Sequence, residues 1–431
     1  MVKLGNRLLA VVAVLIFTPL LIGIYIFPNS PVVWSKTFTG DGNDWMYSVV
    51  QTTDGGYALA GQTTSYGAGD GDFWLVKTDS DGNEEWSQTF GDAQDEQAAS
   101  AVQTTDGGYA IVGSVWSPVS DGWDAKLVKT DSEGNEEWSQ TFGGSGTLDW
   151  ANSVIQTSDG GYAFAGFTNS YDVYGVGEND YEDLWLIKTD SEGNEEWNQT
   201  FGGASNDQAY SVTQTSDDGY MLLGFTKSSG AGKADIWFVK TDSEGNEEWN
   251  QTFGDAKSEE VAAFVQTTDG GYAILGHSLI ENGAGGWDFW LAKTDSTFNQ
   301  EWSKVFGGER NDQVSSVFQA SDGGYMLFGS TWSYGAGGWD FWAIKTDSSG
   351  NMQWDSTLGG SDGDVLHSAI QTSKDSYVLV GFTNSYDAVG WDSILVKFVL
   401  PEGLSIIQLV LICVTIAVAL VMGVVKLREC L

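Results

Sequence analysis

Cysteine is almost missing from this chain. The only two, Cys413 and Cys430, stand at the C-terminal end, so no disulfide framework holds the body together. Basic residues are few: 19 Lys and Arg stand against 59 Asp and Glu, a formal net charge of −40. Binding nucleic acid through its phosphates needs clustered Lys and Arg, so that function is excluded. Histidine is limited to His277 and His367, too few for a His-rich metal site. Arg310 is the only arginine between the two ends. Proline is scarce too, at 5 residues. Between the ends no helical periodicity appears, which argues against α/β folds.

Glycine is abundant, with 56 residues, and tryptophan reaches 20. Many glycines and aromatics with little proline suit short strands joined by tight turns. A disordered acidic chain would have few aromatics. The acidity itself favours solubility, divalent cations or cationic partners.

Two apolar runs mark the ends. Residues 8–27 carry no charge and follow Lys3 and Arg7. About twenty apolar residues span a bilayer, and the positive flank stays inside. The run reads as a signal peptide or an anchor, and the lack of a small-x-small site after it favours the uncleaved anchor. Residues 404–425 form a second run, followed by Lys426 and Arg428. The chain therefore divides into an N-terminal signal or anchor (1–30), a repeat body (31–400), and a transmembrane helix with a short basic tail (401–431). Both termini are expected to be cytoplasmic unless processed, with the body outside the plasma membrane.

Within the body one unit recurs. Trp34, Trp86, Trp138, Trp197, Trp249, Trp302 and Trp354 are spaced 52, 52, 59, 52, 53 and 52 residues apart. A period near fifty signals a propeller or a related array. Each unit has room for four strands. An Asp-Gly-Gly-Tyr turn, or a variant of it, joins strands a and b at Tyr57, Tyr109, Tyr162, Tyr220, Tyr272, Tyr325 and Tyr377. Glycine supplies the positive φ that such a hairpin needs. A variable loop leads to strand c, which reads FWLVKTD in the first copy. Seven copies of strands a, b and c exist, yet Trp34 precedes any strand a and the last copy has no strand d. Residues 33–38 are therefore expected to supply it and close the ring. The fold class is all-β: a seven-bladed propeller of four-stranded blades, closed by the N-terminal strand and flanked by two transmembrane helices.

These units resemble the surface propellers of archaea and bacteria with tandem Asp-Gly-Gly-Tyr repeats. The piece Lys-Thr-Asp-Ser-x-Gly-Asn-Glu-Glu-Trp also resembles the tryptophan-docking repeat of quinoprotein-type propellers. Pro401-Glu402-Gly403, the apolar run and the basic end are similar to archaeal surface-protein sorting tails, with Gly403 in place of an aromatic. The resemblance implies a cell-surface role; one fold hosts many functions.

Several constellations are candidate sites. A carboxylate stands seven residues before the Gln of each strand a: Asp44, Glu96, Asp149, Asp207, Glu259, Asp312 and Asp364. Strand a is innermost in a propeller, so these are expected to ring one channel mouth, where like charges recruit a cation such as Ca2+ or else cap loop amides. A second set, Asp72, Asp124, Asp183, Asp235, Asp288, Asp340 and Asp392, opens each strand c, and nearby lysines suggest that these pair structurally. The Asp-Ser-x-Gly-Asn-Glu turns resemble calcium loops but lack EF-hand spacing, and hairpin chemistry explains them. No cofactor is expected beyond that cation. Asn198 and Asn250 head glycosylation sequons.

The a–b and c–d turns hardly vary between copies, whereas the b–c and d–a loops do. The longest, residues 170–183, accounts for the 59-residue spacing. Aromatics gather in the variable loops, among them Tyr66, Trp116, Tyr174, Tyr334 and Tyr386. Rings beside carboxylates suit sugars, cations or a protein partner. The expected function is a membrane-anchored binding or scaffold module whose membrane-distal face takes a protein, glycan or cation. The alternative is an extracellular propeller enzyme, glycan-active or a quinoprotein-like dehydrogenase. Few arginines and no nucleophile motif weigh against that alternative.

Overall fold

The computed structural model describes residues 31–118, 121–144, 148–170, 181–254, 259–279, 286–385, 388 and 390–400. Both apolar runs, most of the long third-blade loop with Tyr174, and Tyr386 lie outside them. Among the described residues no helix is long and apolar enough to cross a membrane. The chain divides into two compact units, one of them Trp34–Phe398.

The unit Trp34–Phe398 is the propeller. Six of its sheets run a-b-c-d in chain order. In the first blade the strands are Asp44–Gln51, Tyr57–Thr63, Asp72–Thr78 and Glu84–Phe90. The seventh sheet holds Asp364–Ser373, Ser376–Thr383 and Asp392–Val399, and its outer strand is Val32–Phe38 from the other end of the chain. The expected closure is thus realised. The a strands of successive blades adjoin, and that of the seventh meets that of the first.

Strands b and c are buried along nearly their whole length, as YALAGQT and DFWLVKT show in the first blade. Each sheet is covered on both faces by neighbouring blades, so these strands read as continuous apolar runs rather than alternating ones. The core accordingly sits between blades. Phe73, Leu75 and Phe90 of the first blade meet Ala98, Tyr109 and Val128 of the second. Outer d strands alternate, with the docking tryptophans half-buried.

Each of those tryptophans rests on the next blade. Trp34, Trp86, Trp138, Trp197 and Trp302 lie against the c–d turn glycines Gly82, Gly134, Gly193, Gly245 and Gly350, where a Cβ would strike the indole. All five glycines have positive φ. The fifth blade departs from this rule. Phe298 takes the turn position at φ 62, is buried, and stacks on Tyr272 with centroids 4.4 Å apart. Trp249, displaced from a glycine seat, becomes 37% exposed. Phe298→Gly would relieve about 1–2 kcal/mol of left-handed strain but forfeit about 3–5 kcal/mol of buried ring. A net loss of about 2 kcal/mol is expected in denaturant unfolding, with an altered Trp249 emission; a stabilised variant would contradict this balance.

The strand c lysines close that same turn-bearing end of the blades. Lys77 Nζ lies 2.8 Å from Asp54 and 2.7 Å from Glu85, and donates to the Thr78 carbonyl at 2.8 Å. Lys129, Lys188, Lys240 and Lys293 repeat the pattern. The lysines thus pair with a–b turn and strand d carboxylates. They do not pair with the aspartates that open strand c, which corrects that expectation: the lysine sits at the far end of the same strand. The Lys77 hydrogen bond, with help from the Thr52 hydroxyl, pulls the Asp54 carboxyl down to about 2. Such a group adds stability above the usual carboxylate range, and that stability is lost as pH falls toward about 2.

Candidate binding face

The seven carboxylates that open strand a are where the repeat puts them, at its first residue. Among the described side chains none of them lines a channel mouth. Asp44, Asp149, Asp207 and Asp312 are fully buried, and Glu96 and Asp364 nearly so. Glu259 opens its strand in the same register, but its side chain lies outside the described residues. Pleating turns the first and third residues of strand a into the blade, where loop donors take them up. Asp44 accepts from Thr63 Oγ1 at 2.5 Å and Ser65 Oγ at 2.8 Å. Asp149 accepts from Thr168 Oγ1, from Ser170 Oγ at 2.6 Å and from Gly144 N at 3.1 Å. Asp312 accepts from Thr331 Oγ1, Gly308 N and Ser333 Oγ at 2.5, 3.0 and 2.9 Å. These carboxylates tie the b–c loop and the d–a loop to strand a. Among the described residues no group of three or more Asp, Glu, His or Cys could hold a metal ion.

What strand a offers inward is a set that sequence reading missed. Every strand a carries a bulge at one place, as between Met46 and Ser48 or Val314 and Ser316. The extra residues include Tyr47, Asn152, Ser315 and His367, and they touch across blades. Tyr47 meets His367 edge-on at 4.9 Å. Asn152 Nδ2 donates to the Ala209 carbonyl at 2.7 Å, and Ser315 Oγ to that of His367 at 2.9 Å. The signal for the bulge was present in the sequence. A glycine recurs as the fifth residue of strand b, and an isolated strand glycine marks close backbone approach. Burial pushes Tyr47 up to about 12 against its hydrogen bond with Gln97. Burial lowers His277 to about 4, so its imidazole is neutral at neutral pH.

The loops around this ring carry the expected aromatics. Tyr66 OH donates to the Thr39 carbonyl at 2.7 Å, and Tyr334 OH to that of Gly307 at 2.8 Å. These bonds place b–c and d–a loops on one face. Seven large hydrophobic residues are exposed among the described ones, and three of them are b–c loop aromatics: Tyr66, Trp332 and Tyr334. Trp332 lies 5.8 Å from Trp339, with the Arg310 guanidinium 5.5 Å from its ring. Trp116 is paired with Trp123 across strands b and c of the second blade. From there half-buried rings run inward: Trp116 to Trp123 at 5.9 Å, Trp123 to Trp150 at 5.4 Å, and Trp150 stacked on Phe167 at 6.3 Å. Trp150 belongs to strand a of the third blade. A continuous aromatic path therefore links the outer ends of strands b and c to the inner ring.

The sequon residues lie on outer strands. Asn198 Nδ2 donates to Glu195 and its Oδ1 accepts from Trp185 Nε1; Asn250 does the same with Glu247 and Trp237. Both amides therefore have structural partners.

No family model matches the chain, and no curated protein does. Solved structures do. The WD40 domain of Pan2 from Neurospora crassa is 11% identical at a TM-score of 0.50, over 84% of this chain and 90% of that one. YCF48 bound to a D1 peptide is 14% identical at 0.45, over 87% and 97%. The polysaccharide lyase Uly1 is 9% identical at 0.47, over 84% and 90%. At such identities the likeness concerns the fold, and the fold is a β-propeller.

Proposed function

We propose that this chain is a membrane-anchored cell-surface propeller that binds an extracellular protein or glycan through its loop-bearing face, as a recognition or scaffold module. The observation that carries the reading is the concentration of exposed and half-exposed aromatics there, with Tyr66, Trp332 and Tyr334 at 47, 43 and 45% exposure. Water does not reward such exposure, and partially open rings are the usual anchors of binding surfaces. The apolar runs at residues 8–27 and 404–425, each flanked by basic residues, support the anchoring.

Full-length protein in lipid nanodiscs should retain glycans or surface proteins on an array. The double variant Trp116→Ala, Trp332→Ala should lower that binding about tenfold or more, with an unchanged melting temperature. Equal binding by the folded variant would move the site off this face. Turnover of a bound glycan by the parent protein would instead make it an enzyme.

A further inference from the structure

Three blade seams contain carboxyl pairs with oxygens that have no partner. Asp72 of the first blade meets Glu96 of the second, Asp288 of the fifth meets Asp312 of the sixth, and Asp340 of the sixth meets Asp364 of the seventh. All six side chains are at most 4% exposed. Asp72 Oδ1, Glu96 Oε2, Asp288 Oδ1, Asp340 Oδ1 and Asp364 Oδ1 are buried without a hydrogen-bond partner. A single d–a glycine marks the meeting point of two pairs: a Cβ on Gly91 would strike Asp72 Oδ1 and Glu96 Oε2, and one on Gly359 would strike Asp340 Oδ1 and Asp364 Oδ2.

In the Asp288–Asp312 seam the two members are not alike, whereas in the other two seams Glu96 and Asp364 also keep a partnerless oxygen. Asp312 is saturated with donors, as described above. The strand c member is half-satisfied. Asp340 Oδ2 accepts from Ala336 N at 3.0 Å and Gly337 N at 3.4 Å, and its Oδ1 faces the next blade with nothing to accept. Two ionised carboxylates side by side in a water-poor seam repel and leave lone pairs unmet. A proton on one turns an acceptor into a donor and resolves both problems. A bridging cation would need several further oxygen ligands, and among the described residues no group of three or more Asp, Glu, His or Cys could supply them.

We propose that these three seams are each closed by a shared proton, the strand c aspartate or its partner staying neutral and hydrogen-bonding the ionised carboxylate of the adjoining blade. The ring is then a proton-binding assembly, most stable in mildly acidic medium.

The surroundings agree. Burial first, then the charge and hydrogen bond of Asp312, push Asp288 up to about 6. Burial raises Glu96 to about 7 against the opposing charge of Lys126, and Asp340 is raised by burial with a contribution from Asp364. Around Asp288 and Asp312 stand neutral His277, the Tyr334 ring and the exposed Glu309 and Arg310. Asp340 and Asp364 have Tyr334 and Asp362 nearby. Asp72 and Glu96 face Asp92, Asp95, Asp70 and Lys126. Lys126 replaces the tryptophan that five other c strands carry at that position, and its Nζ lies 3.6 Å from Glu96 Oε1. One seam thus has a built-in cation beside its acids.

A raised carboxyl pKa adds stability that is complete below the unfolded value and is lost as pH rises through the folded one. The full-length protein in detergent should therefore melt lower as pH rises from about 4 to about 7. Asp288→Asn supplies a permanent N–H donor to Asp312. It should flatten that decline and melt about 3 °C above the parent at the alkaline end. Asp312→Asn should melt lower throughout, because its donors need a carboxylate. Infrared difference spectra should show a protonated-carboxyl C=O band near pH 5 that weakens in Asp288→Asn. Should that variant fail to fold, Asp340→Asn repeats the measurement. Absence of the protonated band overturns the proposal. So does stabilisation by Ca2+ of the parent that Asp288→Asn abolishes, since a bridging cation would then hold the seam.

Discussion

Removing the closing strand's two aromatic anchors, by Trp34→Ala with Phe38→Ala, is expected to unfold the ring or bring it to the edge of unfolding. Phe38 is 6% exposed in a cluster with Met46, Tyr57 and Leu395, so it touches the first and the last blade. Trp34 lies 6.3 Å from Tyr57 and covers Gly82 of the first blade. Truncating one buried Phe costs about 3–5 kcal/mol, and losing the docked indole adds to it. Whole domains are stable by only about 5–15 kcal/mol. The position makes matters worse. Every other d strand is tied to its own strand c by a short turn, whereas this one joins its sheet only through non-covalent pairing. Urea unfolding of the double variant should show a much lower midpoint, or none. Phe201→Ala, an equivalent ring in the third blade, should be milder. Equal effects in both would mean that closure adds nothing beyond local packing.

Gly166→Ala is the second large effect expected. Gly166 faces Ala151 beside the strand a bulge, and an added Cβ would overlap the Trp150 carbonyl oxygen and press on Ala151 Cα. Backbone cannot swing away as a side chain can. The strand must therefore shift or the bulge must break, at about 3 kcal/mol or more. A shift would also move Trp150 and Asn152, the inward-facing residues of that blade. Thermal unfolding should drop by several degrees, and Trp150 fluorescence should change with it. A variant as stable as its parent would show that strand a can yield at the bulge.

The corrected role of the strand a carboxylates bears on both. Asp149 and Asp207 looked like ligand-binding groups because they recur in register at the inner strand. Their burial against Thr, Ser and Gly donors makes them loop ties, so replacing them tests stability and not recognition. Tyr66 and Tyr334 stand in b–c loops and Trp116 in strand b, and the path through Trp123 to Trp150 could not be read from spacing.

Repeat spacing, turn glycines and continuous apolar strands determined the blade number, the four strands of each and the closure by residues from the far end. These follow from local rules of period and turn chemistry that each copy restates. Tertiary structure alone decided which way each strand a residue turns, because a single bulge shifts the pleat and exchanges inward for buried positions. It alone decided that Phe298 fills a glycine seat and pushes Trp249 outward. It alone brought Asp288 against Asp312, and Asp340 against Asp364. Those pairs form between blades, where distance along the chain says nothing about distance in space and burial sets what a carboxyl can afford to be.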